Sequence, residues 1–224
     1  MIPRPIHTLA IALTLAVLVG ACSTGGGGSS STAVPSGAVP SGAVPSGATA
    51  CPTAEPAALP AGETRTVTIA TDLGPMTLKI EADLSPIAAG NFVALADCGY
   101  YDGVVFHRTA TLEDGTPFVI QGGDPDGTGR GGPGYSITDE PVTATYDRGV
   151  VAMARTGAPN SVGSQFFIVL DDRDRDVLAS ANTYQIIGTI TSGMDVVDAI
   201  YAASNGEEIP TQPVAMTDVT VANP

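Results

Sequence analysis

The stretch Phe118-Val119-Ile120-Gln121-Gly122-Gly123-Asp124-Pro125 decides how this chain is read. Upstream stands Val105-Phe106-His107-Arg108, and downstream Gly163-Ser164-Gln165-Phe166-Phe167-Ile168. These segments set one cation, one amide and several aromatic or aliphatic side chains on strand-like stretches. That combination suits a shallow apolar pocket with a few polar anchors, the usual form of a small-ligand site. In Phe166-Phe167-Ile168 strand alternation requires one aromatic ring to face away from the interior.

Together and in this order, the three segments closely resemble the cyclophilin family of peptidyl-prolyl cis-trans isomerases, from about Thr64 to the C-terminus. The resemblance implies an eight-stranded antiparallel barrel closed on itself and capped by an α-helix at each end. Its interior is packed, so the active site must lie on the outer wall. Arg108 matches the family's catalytic arginine and Gln121 its active-site glutamine. Phe118, Val119, Phe167 and Leu178 match the proline pocket, and Phe166 belongs to the core. Ala154 and Arg155 match an edge where the substrate backbone pairs with the enzyme backbone. By themselves these residues also read as a surface arginine, a strand-end amide and plain core side chains. His107 is read as structural rather than as a proton carrier.

Three departures from the family pattern stand out. Nine residues, Thr109 to Pro117, separate Arg108 from Phe118, several more than the compact pattern. Tyr184 falls where many eukaryotic members carry histidine, and Val177 where they carry tryptophan. The chain contains no tryptophan, which puts inhibitor binding in doubt more than catalysis.

The order of elements agrees with a mainly β domain. Arg65–Ala70 and Met76–Ile80 alternate around Asp72-Leu73-Gly74-Pro75 and predict a hairpin. Ser85-Pro86 opens a helix, with serine as N-cap and proline at the first helical position. Short strands are expected around Phe106, Phe118–Gln121, Val150–Ala154, Phe166–Leu170 and Gln185–Thr189. A second helix fits Met194–Ala202, capped by Ser192, and Met216–Val221 alternates again. Many short strands with Gly/Pro turns favour a closed antiparallel sheet, while pattern alone leaves a sandwich open.

Residues 1–21 read as an export signal, with one early charge at Arg4 and an apolar run, Leu9 to Gly20, too short for a membrane span. Val19-Gly20-Ala21-Cys22 resembles a bacterial lipobox, which makes Cys22 a lipidated first residue and implies membrane anchoring outside the cytoplasm. Residues 22–62 carry glycine and serine runs and three copies of Ala-Val-Pro-Ser-Gly. They hold too little apolar surface to offset ordering and read as a tether of about 35 Å. An exported chain with two further cysteines, Cys51 and Cys98, favours a disulfide between them, two free thiols being the alternative. The catalytic domain is expected over 63–224.

A net charge of −14, from 23 acidic residues against nine Lys plus Arg, argues against nucleic acid, whose phosphates need basic partners. One histidine beyond His7 excludes a multi-histidine metal site. Gly127-Thr128-Gly129-Arg130-Gly131-Gly132 matches G-x-G-x-x-G, but Pro133-Gly134 follows and no helix opens to face a pyrophosphate. Asp124 and Asp126 lack the later ligands of a calcium loop. The sequence therefore predicts a monomeric isomerase needing neither cofactor nor metal, acting on proline-containing segments of exported proteins. The alternative is a proline-binding chaperone module with little turnover.

Overall fold

The computed structural model describes residues 50–222. Residues 1–21, read from sequence as an export signal, Cys22 and the pentapeptide repeats lie outside that range. Eight strands form one sheet: β1 (Thr64–Thr71), β2 (Gly74–Glu81), β3 (Arg108–Thr111), β4 (Pro117–Gly122), β5 (Val150–Met153), β6 (Phe166–Val169), β7 (Ile186–Ser192) and β8 (Asp218–Ala222). Their spatial order is β3-β4-β6-β5-β7-β2-β1-β8, and each ladder is antiparallel. The predicted hairpin is β1–β2, whose turn is tied by Thr71 Oγ1 donating to the Gly74 carbonyl at 2.8 Å.

The expected closed barrel is not formed. Among the described residues, β3 and β8 share no ladder. One bridge, Val105 to Ala215, joins the segments preceding them, with Phe106 N–H donating to Val214 and Met216 N–H to Val104, both at 2.9 Å. Val105 also bridges Asp124 on its other side. The chain approaching β8 contains Pro210 and Pro213, which offer no N–H to a ladder. Phe106, expected on a strand, thus lies in this bridging segment, and β3 begins at Arg108.

Among the described residues there are three α-helices rather than two: α1 (Pro86–Asp97), α2 (Arg175–Ala181) and α3 (Met194–Ala203). The unforeseen α2 has a single buried residue, Leu178, so it shows no apolar period to read. Of the two expected caps, one is in place and one differs. Ser85 is the N-cap of α1 with Pro86 opening the helix, but its side chain makes no cap bond. Both Glu140 carboxylate oxygens cap α1 instead, accepting from Ile87 and Ala88 N–H at 2.9 Å each. At α3 the N-cap is Gly193 rather than Ser192.

Alternation on the central strands separates two apolar layers. Thr109, Ile120, Ile168 and Val151 are cross-strand partners in one row, and Ile120, Ile168 and Val151 belong to the large core with Phe166 and Phe92. Phe166 meets Phe92 edge-on, their centroids 5.3 Å apart. Full burial of such a ring contributes about 2–3 kcal/mol. The opposite layer holds Ala110, Val119, Ala152, Phe167 and Leu178.

Residues 50–62, assigned by sequence to the tether, pack on the domain. Cys51 and Cys98 are joined by a disulfide. Leu59 is buried and its N–H donates to the Pro86 carbonyl at 2.9 Å. The segment crosses α1 at Gly90, where a β-carbon would stand 2.4 Å from the Ala57 oxygen. Glycine here costs the helix some backbone entropy but lets a second backbone lie against it.

Candidate active site

Register builds the site. Arg108 opposes Gln121, Gln121 opposes Phe167, and Phe167 opposes Ala152. Cross-strand partners share a face of a sheet, so this row places a cation, an amide and an aromatic ring side by side, facing away from the large core. Two residues along, Ala110, Val119 and Val169 form the next row on the same face. Val119 and Phe167 are 3% and 4% exposed, and Leu178, reaching over from α2, is 4% exposed. Tyr184 meets Phe167 edge-on at 5.3 Å, and its backbone is fixed by Tyr146, whose hydroxyl donates to the Tyr184 carbonyl at 2.9 Å. Phe118 is half-buried at the border of this cluster.

Two open grooves flank the row. One of about 660 Å³ is bordered by Gln121, Gln165, Ala154, Arg155 and the glycine loop from 129 to 134. The other, about 350 Å³, is bordered by Arg108, Phe118, Leu112, Glu113 and Glu208. Neither includes Val119, Phe167 or Leu178, which pack together between them. The Thr109–Pro117 insertion is an extension of the β3–β4 hairpin, bulged between Ala110 and Thr111, and it walls the smaller groove.

A line of polar side chains crosses the row. Arg108 Nε donates to Oε1 of Glu208 at 2.9 Å, and Nη2 stands 2.8 Å from the same oxygen. Arg108 Nη1 donates to Oε1 of Gln121 at 3.3 Å. Gln121 Nε2 donates to Oε1 of Gln165, and Gln165 Nε2 to the Gly131 carbonyl, each at 2.9 Å. Gln165 lies inside a motif that carried the sequence reading, yet received no role there. Its signal was available: strand alternation from Phe167 puts residue 165 on the site's face. Glu208 had none, standing 100 residues from Arg108 in a segment without a motif.

The glycine loop is organised by Asp124, which is fully buried. Its carboxylate accepts from the N–H groups of Asp126, Thr128, Arg130 and Gly131 at 2.8–3.1 Å. Burial alone raises the Asp124 pKa, but these donated N–H groups outweigh it and hold it below the ordinary value. At Gly131 a β-carbon would lie 2.0 Å from Oδ1 of Asp124, so the loop can wrap its anion only with glycine there. His107 is 5% exposed, and burial lowers its pKa, which leaves it neutral near pH 7.

The Ala154–Arg155 edge is partly occupied. Ala154 N–H donates to the Gln165 carbonyl at 2.8 Å, so a pairing peptide must use the other backbone groups there. The Arg155 side chain turns away, its Nη1 standing 3.1 Å from Asp139 and its Nη2 donating to the Ala158 carbonyl at 2.7 Å. Among the described residues no group of three or more His, Cys, Asp or Glu side chains could hold a metal ion.

A family model described as "Cyclophilin type peptidyl-prolyl cis-trans isomerase/CLD" matches residues 66–221. Peptidyl-prolyl cis-trans isomerase CYP18-1 of Arabidopsis thaliana is 38% identical over 165 residues, spanning 70% of this chain and 97% of the relative. Probable peptidyl-prolyl cis-trans isomerase A of Mycobacterium leprae is 35% identical over 177 residues, spanning 70% and 92%. The crystal structure of a cyclophilin-type isomerase from Cryptosporidium parvum superposes with a TM-score of 0.62 at 31% identity, covering 72% of this chain and all of the other. A second structure of that protein, in the presence of the dipeptide Ala-Pro, gives 0.60 at 30%, covering 71% of this chain and 99% of the other.

Proposed function

The chain belongs to the cyclophilin-type peptidyl-prolyl cis-trans isomerases, and from that premise we propose how its own residues turn an Xaa-Pro bond. The barrier of ~18–20 kcal/mol comes from amide resonance. Rotation makes and breaks no covalent bond, so an active site has only to bind the twisted amide better than either planar isomer. In the twisted amide the proline nitrogen regains its lone pair. Arg108 donates to that pyramidal nitrogen, while Phe118, Val119, Phe167 and Leu178 hold the ring. Tyr184 forms the far wall, edge-on to Phe167. Gln121 and the Ala154-Arg155 backbone hold the flanking carbonyls while the other end turns.

Uncatalysed rotation takes tens of seconds or more, and reaching ~10–1000 turnovers per second requires ~3–6 kcal/mol of differential binding. One charge-assisted hydrogen bond in a partly dry site, with burial of the ring, is of that size.

The observation that carries this reading is the single row Arg108, Gln121, Phe167 on one sheet face. A binding module without turnover has no use for a guanidinium held beside the ring site. Peptide isomerisation by Arg108→Ala tests it directly. Turnover is expected to fall roughly ten- to a hundredfold with an unchanged melting curve, and equal rates for mutant and parent would return the proline-binding reading to first place.

We further propose that the enzyme acts outside the cytoplasm on proline-containing segments of exported proteins, as a monomer, and is held on the cell membrane through lipid on Cys22. The lipobox-like Val19-Gly20-Ala21-Cys22 supports the anchor, and the Cys51–Cys98 disulfide suits an oxidising compartment. No helix among the described residues is long and apolar enough to cross a membrane. Cys22→Ser should therefore move the protein out of a carbonate-washed membrane fraction, and its retention there would remove the anchor.

A further inference from the structure

Glu208 is the acidic partner of Arg108, and the way it is fixed distinguishes it from a chance surface contact. After α3, Asn205 and Gly206 both take left-handed backbone angles, φ 53° and 83°, which turn the chain back alongside β3. There it is fastened at backbone level to the residue next to the arginine. Thr109 N–H donates to the Glu208 carbonyl at 2.9 Å, and Thr109 Oγ1 donates to the Glu207 carbonyl at 2.7 Å. The Glu207 carboxylate in turn accepts from Thr211 N–H at 2.9 Å. The Glu208 side chain therefore starts from a place set by β3 itself.

The contact divides the guanidinium. Nε and Nη2 are turned toward Oε1 of Glu208, and Nη1 meets Gln121 through a longer, weaker bond of 3.3 Å. A guanidinium has five N–H donors in a rigid fork. The edge shared by Nη1 and Nη2 keeps donors over for a third group, and it adjoins, at Nη2, the edge that Glu208 grips. At 36% and 64% side-chain exposure the pair adds little to stability. Direction is what it supplies.

We propose that Glu208 is a positioning residue that holds the Arg108 fork so that its Nη edge meets the twisted Xaa-Pro amide. This rests on the role assigned to Arg108 above. Losing the acceptor frees the fork to rotate about its long stem, and a misdirected donor weakens the twisted state more than initial peptide binding. An opposite role, in which the carboxylate competes with the peptide for Arg108, predicts faster turnover when Glu208 is removed.

The test compares Glu208→Ala, Glu208→Gln, Arg108→Ala and the double variant Arg108→Ala/Glu208→Ala in full-length protein, using an Ala-Pro peptide. For Glu208→Ala, kcat should fall ~3–10-fold, since the Gln121 bond still holds part of the fork, with little change in KM or melting temperature. Glu208→Gln keeps an acceptor oxygen and should retain most of the activity. In the Arg108→Ala background the second substitution should change nothing, because its only route to the reaction has gone. The Arg108 Nε–H resonance, identified by its loss in Arg108→Ala, should be sharp and slowly exchanging in the parent and averaged in Glu208→Ala. Unchanged or raised kcat in Glu208→Ala, the same loss in both backgrounds, or a parent Nε–H already averaged would each overturn the proposal. If Arg108→Ala itself is fully active, the assignment of Arg108 fails and Glu208 falls with it. If Arg108→Ala is slow but Glu208→Ala is not, only the positioning role fails.

Discussion

Gln121 and Gln165 meet head to tail, the Nε2 of the first donating to Oε1 of the second at 2.9 Å. The order of donors fixes both amides: Gln121 must turn its oxygen to Arg108, and Gln165 must turn its nitrogen to the Gly131 carbonyl. Since the oxygen and nitrogen of an amide are assigned from their partners, the cation at one end and the carbonyl at the other set the direction of the whole line. Gly131 is itself held by Asp124. The buried carboxylate is thereby connected, through two glutamines, to the guanidinium.

Gln165→Leu should disconnect that line while keeping the volume of the side chain. Gln121 loses its acceptor and becomes free to flip, which removes the oxygen facing Arg108. Both orphaned groups border an open groove, so the stability cost should be near ~1 kcal/mol, the low end for a broken hydrogen bond. Catalytic efficiency should fall roughly fivefold or more. A variant with parental kcat/KM would show that Gln121 needs no orienting.

Reduction of Cys51–Cys98, or Cys98→Ser, should lower stability by about 4 kcal/mol on loop-closure grounds for a separation of 47 residues. Activity at low temperature should be kept, since neither sulfur borders the site. Chemical denaturation with and without reductant measures the difference, and coincident curves would contradict it.

Stability should also carry an unusual acid-side signature from Asp174. This residue is fully buried at the start of α2, and burial pushes its carboxyl up to about 6. A folded-state value above the unfolded one near ~3.9 means folding favours the protonated form. That contribution is complete below the unfolded value and is lost as pH rises through about 6. Asp174→Asn is permanently neutral and keeps an oxygen for Asp171 N–H. The melting temperature of the mutant relative to the parent should therefore climb from pH 5 to pH 8. A constant offset would refute the shift.

Cyclosporin should inhibit this enzyme weakly. In sensitive family members a tryptophan at the pocket supplies an indole N–H and a broad apolar wall. Here Val177 is 46% exposed on α2, next to the buried Leu178, and offers no donor. One lost hydrogen bond to a buried acceptor costs about 1–3 kcal/mol, roughly ten- to a hundredfold in affinity. Val177→Trp should recover part of it. Nanomolar inhibition of the parent protein would refute the argument.

What the sequence made legible was governed by short range and fixed period. Alternation separates Phe166 from Phe167, and the structure sends the first into the large core and the second to the opposite layer. The order of Arg108, Gln121 and Phe167 along three strands sufficed to bring them together, because register converts order into adjacency. What escaped was long-range or aperiodic. The α1 cap arrives from Glu140, 53 residues from Ile87, so the local serine looked sufficient. The α2 helix buries one side chain, and Glu208 reaches Arg108 only through a turn of two left-handed residues. Sheet closure failed for a subtler reason: the β-prone residues are present on both sides, but the prolines before β8 leave too few donors for a ladder.

The crossing of residues 50–62 over α1 also decides how the domain meets a pull from its N-terminal side. Tension entering at residue 50 reaches Cys51 and passes through the sulfurs to Cys98, leaving the backbone from 52 to 97 out of the line of force. The strap over Gly90, the whole of β1 and the β1–β2 hairpin are therefore mechanically shielded while the bond is intact. Without it, the same pull would peel Leu59 from α1 and then draw on the end of β1, between β2 and β8. The disulfide thus moves the point of traction from a strand that can be unzipped to the far end of a helix already packed against four strands.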